Sequence, residues 1–314
     1  MKRFFLAVSL LLVFCVGVSA QKITFTPQWT PQAQFAGMYV AYDKGFYADE
    51  GLDVDIVHVN SKSSISAIDM LVSGESDIIS MQLLQAIVQR SDGRPVVNVM
   101  QITQKSGLCC VTRTPVSGPE DLEGMNIGRW KTGFAELGNI IVDKLGVNVN
   151  WVPFTNGLAL CITGAIDAAL CYSFNELVAL KLAMGTAPEE NILMVDPEKM
   201  PCPEDGLYVT QEYYDNNKEA IDKFVRATAK GWDYARENRE ETVDICFKFI
   251  NRDHVVTNRT HQEMMLDEYL KLMENADGVV DYSSVTKPLY QSLASDLMDI
   301  GYITNIPEYE DIIK

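Results

Sequence analysis

The sequence predicts an α/β fold built from two similar lobes, and three observations carry that prediction. Strand-like and helix-like segments alternate from Ile23 to Cys171, the pattern of mostly parallel sheets. The pattern restarts after residue 112, and both halves run strand, helix, Gly-x-x-Asp, strand. From Glu219 onward the chain turns to amphipathic helices. A length of 314 residues suits two domains of ordinary size.

Ahead of the first element, Lys2 and Arg3, an apolar run from Phe4 to Val16, and Val18-Ser19-Ala20 read as a cleaved export signal over residues 1–20. The run is shorter than the roughly 20 residues a membrane span needs. Cys15 is set aside as a lipid anchor because bulky Phe14 precedes it.

In the first half a strand is expected over 23–26 and a helix over 35–47, where Met38, Val40 and Ala41 are apolar. A strand over 53–59 follows, then a helix over 64–73 with Ile65, Ile68, Leu71 and Val72 on one face and Gly74 as its C-terminal cap. Residues 77–81 form a strand, 83–90 a helix and 96–102 a strand. In the second half the strands fall at 126–129, 147–153 and 167–171. The helices fall at 134–145 and 158–163, the latter capped by Gly164. Four further helices span 220–237, 240–250, 260–275 and 285–300. With no long Gly/Ser/Pro linker, the lobes should join through short crossovers near 111–117 and 203–209.

Lys plus Arg is 26 against Asp plus Glu 43, a net charge of −17. That excludes a general nucleic-acid binder, which needs clustered cations against phosphate. There is no HExxH, no Walker A sequence and no Gly-x-Ser-x-Gly. Six cysteines follow the signal: Cys109, Cys110, Cys161, Cys171, Cys202 and Cys246. They can be buried thiols or disulfides, and no spacing chooses, although Cys161 with Cys171 is one available pair. The lack of CxxC argues against zinc. No cofactor, metal site or catalytic constellation is expected.

The most informative run is Trp29-Thr30-Pro31-Gln32-Ala33-Gln34-Phe35-Ala36-Gly37-Met38-Tyr39-Val40-Ala41, continuing through Lys44-Gly45-Phe46-Tyr47-Ala48-Asp49-Glu50-Gly51-Leu52-Asp53-Val54. Together with Ser73-Gly74-Glu75-Ser76-Asp77, Pro119-Glu120-Asp121-Leu122-Glu123-Gly124, Asn175-Glu176-Leu177 and Glu204-Asp205-Gly206, it resembles the thiamine-pyrimidine-precursor (SsuA/THI5-like) family of periplasmic substrate-binding proteins. These feed ABC importers and group with the nitrate, sulfonate and taurine binders. The resemblance covers essentially the whole chain after the signal. It implies the two-lobed periplasmic-binding-protein type II fold, with two crossovers, a helical C-terminal part and a ligand trapped by closure. Lobe one would be 22–112 plus 207–314, and lobe two 113–206. It also implies a small-molecule ligand, a membrane permease as partner, an exported location and a monomer. Members related to pyrimidine synthesis often carry Asn-x-Asn-His after Trp-x-Pro; here Gln32, Gln34 and Phe35 stand there. Phe35 cannot transfer a proton or hold a metal, and the cysteine-rich motif of the eukaryotic synthases is absent. The resemblance therefore implies a binder rather than an enzyme.

Candidate ligand contacts follow from the rule that ligands of open α/β sheets lie beyond the C-terminal strand ends. Trp29 could stack on a flat heterocycle, Gln34 could donate and accept, and Phe35 could form a second wall. Ser80 and Gln82 end the next strand, where either could instead cap a helix. Trp130, Gly133 and Phe134 lie at a strand-to-helix turn. Tyr172, Asn175 and Glu176 follow the strand at 167–171. Glu176 is the favoured polar anchor, because a carboxylate can accept from an exocyclic amine and a protonated ring nitrogen together. Its alternative role is to favour the positive end of a helix. Glu204 and Asp205 are either ligand contacts or hinge residues. An anionic ligand would need a cation in the cleft, and Arg129 and Lys131 are the nearby candidates.

Overall fold

A computed structural model describes residues 20–59, 65–131, 134–154, 157–185, 188–275, 277–282 and 285–314. The expected signal, apart from Ala20, and Gly133 lie outside the described residues.

The chain builds two five-stranded sheets. In order it forms β1 (Gln21–Thr26), α1 (Ala36–Asp43), α2 (Phe46–Asp49), β2 (Leu52–Ile56), α3 (Ala67–Ser73), β3 (Ile78–Gln82), α4 (Leu83–Ser91) and β4 (Val96–Gln101). It then forms β5 (Leu108–Thr112), β6 (Asn126–Trp130), α5 (Glu136–Leu145), β7 (Asn150–Phe154), α6 (Gly157–Thr163), β8 (Ala168–Tyr172), α7 (Glu176–Met184) and β9 (Ile192–Met194). The last strand is β10 (Asp205–Thr210), followed by α8 (Gln211–Glu237), α9 (Arg239–Arg252), α10 (Arg259–Leu272), α11 (Lys287–Asp299) and α12 (Tyr309–Ile312).

The first sheet runs β2-β1-β3-β10-β4 and the second β7-β6-β8-β5-β9. In each, four strands run the same way and the fourth in order is antiparallel to both of its neighbours. The sheets are thus mostly parallel, with one reversed strand in each. The cause is an exchange: β5 leaves the first half to pair in the second sheet, and β10 returns from the second half to pair between β3 and β4. Residues 108–112, expected to end the first lobe, therefore sit in the second sheet. The crossovers fall at 102–107 and 195–204 rather than near 111–117 and 203–209, because β5 and β10 reach into those stretches.

The repeated Gly-x-x-Asp turn does the same work twice. Gly74 and Gly164 end α3 and α6 with φ of 77° and 78°, the left-handed conformation that glycine adopts without Cβ strain. Three residues on, Asp77 Oδ2 accepts from Thr24 N at 2.8 Å, and Asp167 Oδ2 accepts from Asn126 N at 2.8 Å. Asp77 thus holds the neighbouring parallel strand β1 within its length, and Asp167 holds β6 at its start. The helix expected over 35–47 is split, because Gly45 takes φ of 76° between α1 and α2. The α3 helix starts at Ala67 behind a reciprocal Ser66–Asp69 capping box.

The C-terminal helices pack mainly on the first sheet. α8 runs against α1, and α8 and α12 both reach β4. The α1–α8 crossing is so close that a Cβ on Gly231 would lie 2.0 Å from Gly37 O. All six cysteines named above are buried free thiols. Among the described residues no helix is long and apolar enough to cross a membrane.

Candidate functional site

The parallel strands of both sheets end at one cleft. Past β1 lie Gln28, Trp29, Gln32 and Gln34; β3 ends in Gln82, β6 in Trp130 and β8 in Tyr172. Phe134, Phe174, Asn175 and Glu176 complete the lining. This is where the strand-end rule puts a ligand.

Aromatic rings make up its walls. Trp29 meets Phe134 edge-on at 5.7 Å, Trp130 leans on Tyr172 at 5.2 Å, and Tyr172 on Phe174 at 5.3 Å. Phe134 holds a φ of 59°, an uncommon conformation for a bulky side chain and a local strain at the cleft wall. The cavity between these rings is only about 30 Å³. A void of roughly 150 Å³ is what admits a benzene ring, so a heterocycle must part the lobes or move side chains to enter. The cleft is bridged directly, with Gln82 Nε2 donating to Tyr172 Oη at 2.6 Å.

A buried carboxylate organises the amides. Asp205 accepts from Gln28 Nε2 at 2.8 Å, Gln34 Nε2 at 2.6 Å and Tyr269 Oη at 2.8 Å. Burial raises its pKa while these three donors pull it back. Gln34 Oε1 in turn accepts from Gln32 Nε2 at 2.6 Å. Glu204 accepts from Ser106 Oγ at 2.9 Å and Gly107 N at 2.9 Å, joining the two crossovers. Burial pushes its carboxyl up to about 8. The backbone N–H groups of both Glu204 and Asp205 donate to Thr103 Oγ1, so four hydrogen bonds tie the crossovers together.

Glu176 begins α7. Its Oε2 accepts from Tyr172 N at 2.9 Å and its Oε1 from Asn175 Nδ2 at 3.3 Å. It thus ties the end of β8 to the start of α7 and lines the cleft at once. Burial raises its carboxyl.

Of the residues singled out in the sequence, Trp29, Gln34, Gln82, Trp130, Phe134, Tyr172, Asn175 and Glu176 come together in the lining. Phe35 does not. It is fully buried against Tyr39 and His58, because the short helical turn at Ala33–Phe35 rotates it into the core. Ser80 lies behind the lining, where its Oγ accepts from Gln28 N at 2.9 Å. Glu204 and Asp205 belong to the crossovers, and Asp205 reaches the cleft only through Gln28 and Gln34. Gln28, Gln32 and Phe174 were not foreseen as contacts. Gln32 was visible in the Trp29 run, whereas nothing adjacent in sequence marks Gln28 or Phe174. Neither candidate cation lines the cleft: Arg129 pairs with Asn139 Oδ1 at 3.0 Å and lies over Trp151, and Lys131 is exposed.

The NMT1/THI5-like family model matches residues 32–242. The chain belongs to that family. It is 27% identical over 266 residues to the riboflavin-binding protein RibY of Chloroflexus aurantiacus, covering 81% of this chain and 74% of the relative. It is 26% identical over 262 residues to the formylaminopyrimidine-binding protein of Halalkalibacterium halodurans, covering 80% and 77%. It is 24% identical over 236 residues to the 4-amino-5-hydroxymethyl-2-methylpyrimidine phosphate synthase THI13 of Saccharomyces cerevisiae, covering 69% and 68%. Among solved structures, the periplasmic aliphatic sulphonate binding protein SsuA of Escherichia coli superimposes with a TM-score of 0.70 at 14% identity, over 93% of this chain and 96% of that one. The fold is that of the two-lobed periplasmic binding proteins.

Proposed function

We propose that this protein is an exported solute-binding protein that closes its lobes over a small nitrogen heterocycle of the thiamine-pyrimidine-precursor class and delivers it to an ABC importer. The observation that carries this reading is the chemistry of the lining. Five aromatic side chains, the amides of Gln28, Gln32, Gln34, Gln82 and Asn175, and the carboxylate of Glu176 face the cleft, with no Lys or Arg among the described lining residues. Flat rings bury well between aromatic faces, and amides with a carboxylate match ring nitrogens and exocyclic amines. A sulfonate or nitrate would enter this lining with no cationic partner, a costly way to desolvate an anion. The pyrimidine and flavin ligands named for two relatives are of the same flat, nitrogen-rich kind.

The synthase among the relatives raises an enzymatic reading. Against it stands Phe35, a buried core ring at the position where synthesis-related members often carry a histidine. Binding and release without turnover is the function this lining supports.

The test is calorimetric titration with an aminomethylpyrimidine, riboflavin, taurine and nitrate. Heat with the pyrimidine and none with taurine or nitrate is the expected result. Heat with taurine alone would move the protein to the anion binders. Glu176→Ala should weaken pyrimidine binding by about 1.5–3 kcal/mol, the worth of a hydrogen bond to a charged group. Pyrimidine converted rather than bound, seen by mass spectrometry, would restore the enzymatic reading.

A further inference from the structure

The polar groups at this cleft are biased toward one role. Asp205 can only accept when ionised, so it takes the N–H₂ ends of Gln28 and Gln34. That fixes the orientation of both amides and turns their carbonyl oxygens outward. Gln34 Oε1 is satisfied by Gln32. Gln28 Oε1, in contrast, is a buried acceptor with no hydrogen-bond partner. An orphaned acceptor at a cavity wall asks for a donor from the ligand. Glu176 adds two carboxylate oxygens whose protein donors are one backbone N–H and one amide, both neutral.

Charge points the same way. Half-buried Glu176 lines the cleft, and Glu136, Glu204 and Asp205 are buried beyond the lining, where all three act on the Tyr172 hydroxyl. Burial raises all four carboxyl groups, Arg129 opposing it only at Glu136, so a cation brought by the ligand would supply the charge that holds the Glu176 carboxylate ionised. The net charge of −17 adds a general attraction for positive solutes. Trp29, Trp130, Phe134, Tyr172 and Phe174 surround the same space, and a desolvated cation seated over the face of one of these rings gains from its negative potential.

From this juxtaposition we infer that the cleft takes its ligand as a cation, a protonated or quaternised nitrogen heterocycle whose N–H donors meet Gln28 Oε1 and the Glu176 carboxylate. The inference rests on the heterocycle reading above and sharpens it: of the flat heterocycles, the positively charged form is the one held.

Two isosteres of fixed charge test it on the intact protein. N-methylated para-aminopyridinium is a permanent cation, and para-toluidine is its neutral counterpart of the same shape. Titrated by calorimetry at neutral pH, the cation should bind at least about tenfold more tightly. Glu176→Gln should remove most of that advantage while leaving para-toluidine little changed. Should that variant fail to fold, the comparison of the two probes on the unaltered protein decides alone. Equal binding of both probes, or preference for para-toluidine, overturns the cation assignment and leaves the heterocycle reading intact. If neither probe binds and an aminomethylpyrimidine also gives no heat, the heterocycle reading falls with it. If neither probe binds and the pyrimidine does, the cation assignment alone is overturned.

Discussion

The two sheets share a strand order and a turn, yet differ in what covers them. In the first, α8 and α12 return from the C-terminal third to pack against β4, and α3 covers a separate apolar cluster around Leu71, Ile79 and Tyr208. In the second, α11 comes back to α5, where Asp296 pairs with Lys144 at 2.7 Å, yet it leaves part of the face beside α5 uncovered. What remains there is an apolar groove of about 430 Å³ walled by Leu108, Cys110, Ile141, Leu145, Leu193 and Met194. Leu145 and Met194 are 42% and 51% exposed. Local turn chemistry is therefore enough to build each sheet, whereas tightness of packing depends on chain added later. The first lobe should be the less forgiving of change.

That contrast can be broken most sharply at two helical glycines. Gly231→Ala drives a Cβ into Gly37 O, a backbone atom that cannot swing aside. It should destabilise by about 3 kcal/mol or more, read as a lowered denaturant midpoint. An unchanged midpoint would show that the α1–α8 crossing is looser than drawn.

The next effect separates the hinge from both lobes. Glu204 has its folded carboxyl raised from 4.5 to about 8. An acid raised on folding favours the native state at low pH and loses that contribution as pH climbs through the folded value. The thermal midpoint should therefore decline between about pH 4.5 and 8, where the unfolded carboxyl is already ionised. Glu204→Gln should flatten the decline. A wild-type profile that is flat over this window would remove Glu204 from the balance.

Smaller again is the difference between the repeated turns. Asp77→Ala and Asp167→Ala each leave a strand N–H without its carboxylate, at about 1–3 kcal/mol. The Asp77 bond is part-buried and the Asp167 bond exposed, so Asp77→Ala should cost more. Equal losses would mean that water replaces neither bond, or both, to the same degree.

The smallest effect belongs to Gly138→Ala on α5. Its Cβ would meet only Leu170 Cδ1, at 2.7 Å, the end of a side chain that borders the groove. Leu170 has room to give way, and alanine gains about 0.5–1 kcal/mol over glycine in a helix. Urea unfolding should thus place this variant within about 1 kcal/mol of the parent. A loss as large as that of Gly231→Ala would erase the contrast between the lobes.

What could be read from the sequence was local. The caps at Gly74 and Gly164, the Asp that follows each, Trp29 just past β1, and Trp130 and Tyr172 at the ends of β6 and β8 are all encoded within a few neighbouring positions. What could not be read depends on distant partners. β10 is an ordinary run, Asp-Gly-Leu-Tyr-Val-Thr, until β3 and β4 flank it, and those strands lie more than a hundred residues earlier. Phe35 looked like a cleft wall because it follows the Trp29 run, but a single helical turn decides which way it faces. Gln28 is an unremarkable amide in sequence, and its role is set by Asp205, 177 residues away.

The hydrogen bond from Gln82 to Tyr172 has a kinetic consequence. With so little space between the rings, a solute cannot slip past them; it must wait for that bond to break. Capture would then be gated by the protein's own breathing, in an order where opening precedes encounter. In stopped-flow mixing, the observed rate should rise with solute concentration and then level off at the opening rate. Gln82→Ala should lift that plateau, so the amide sets a speed limit as well as a contact.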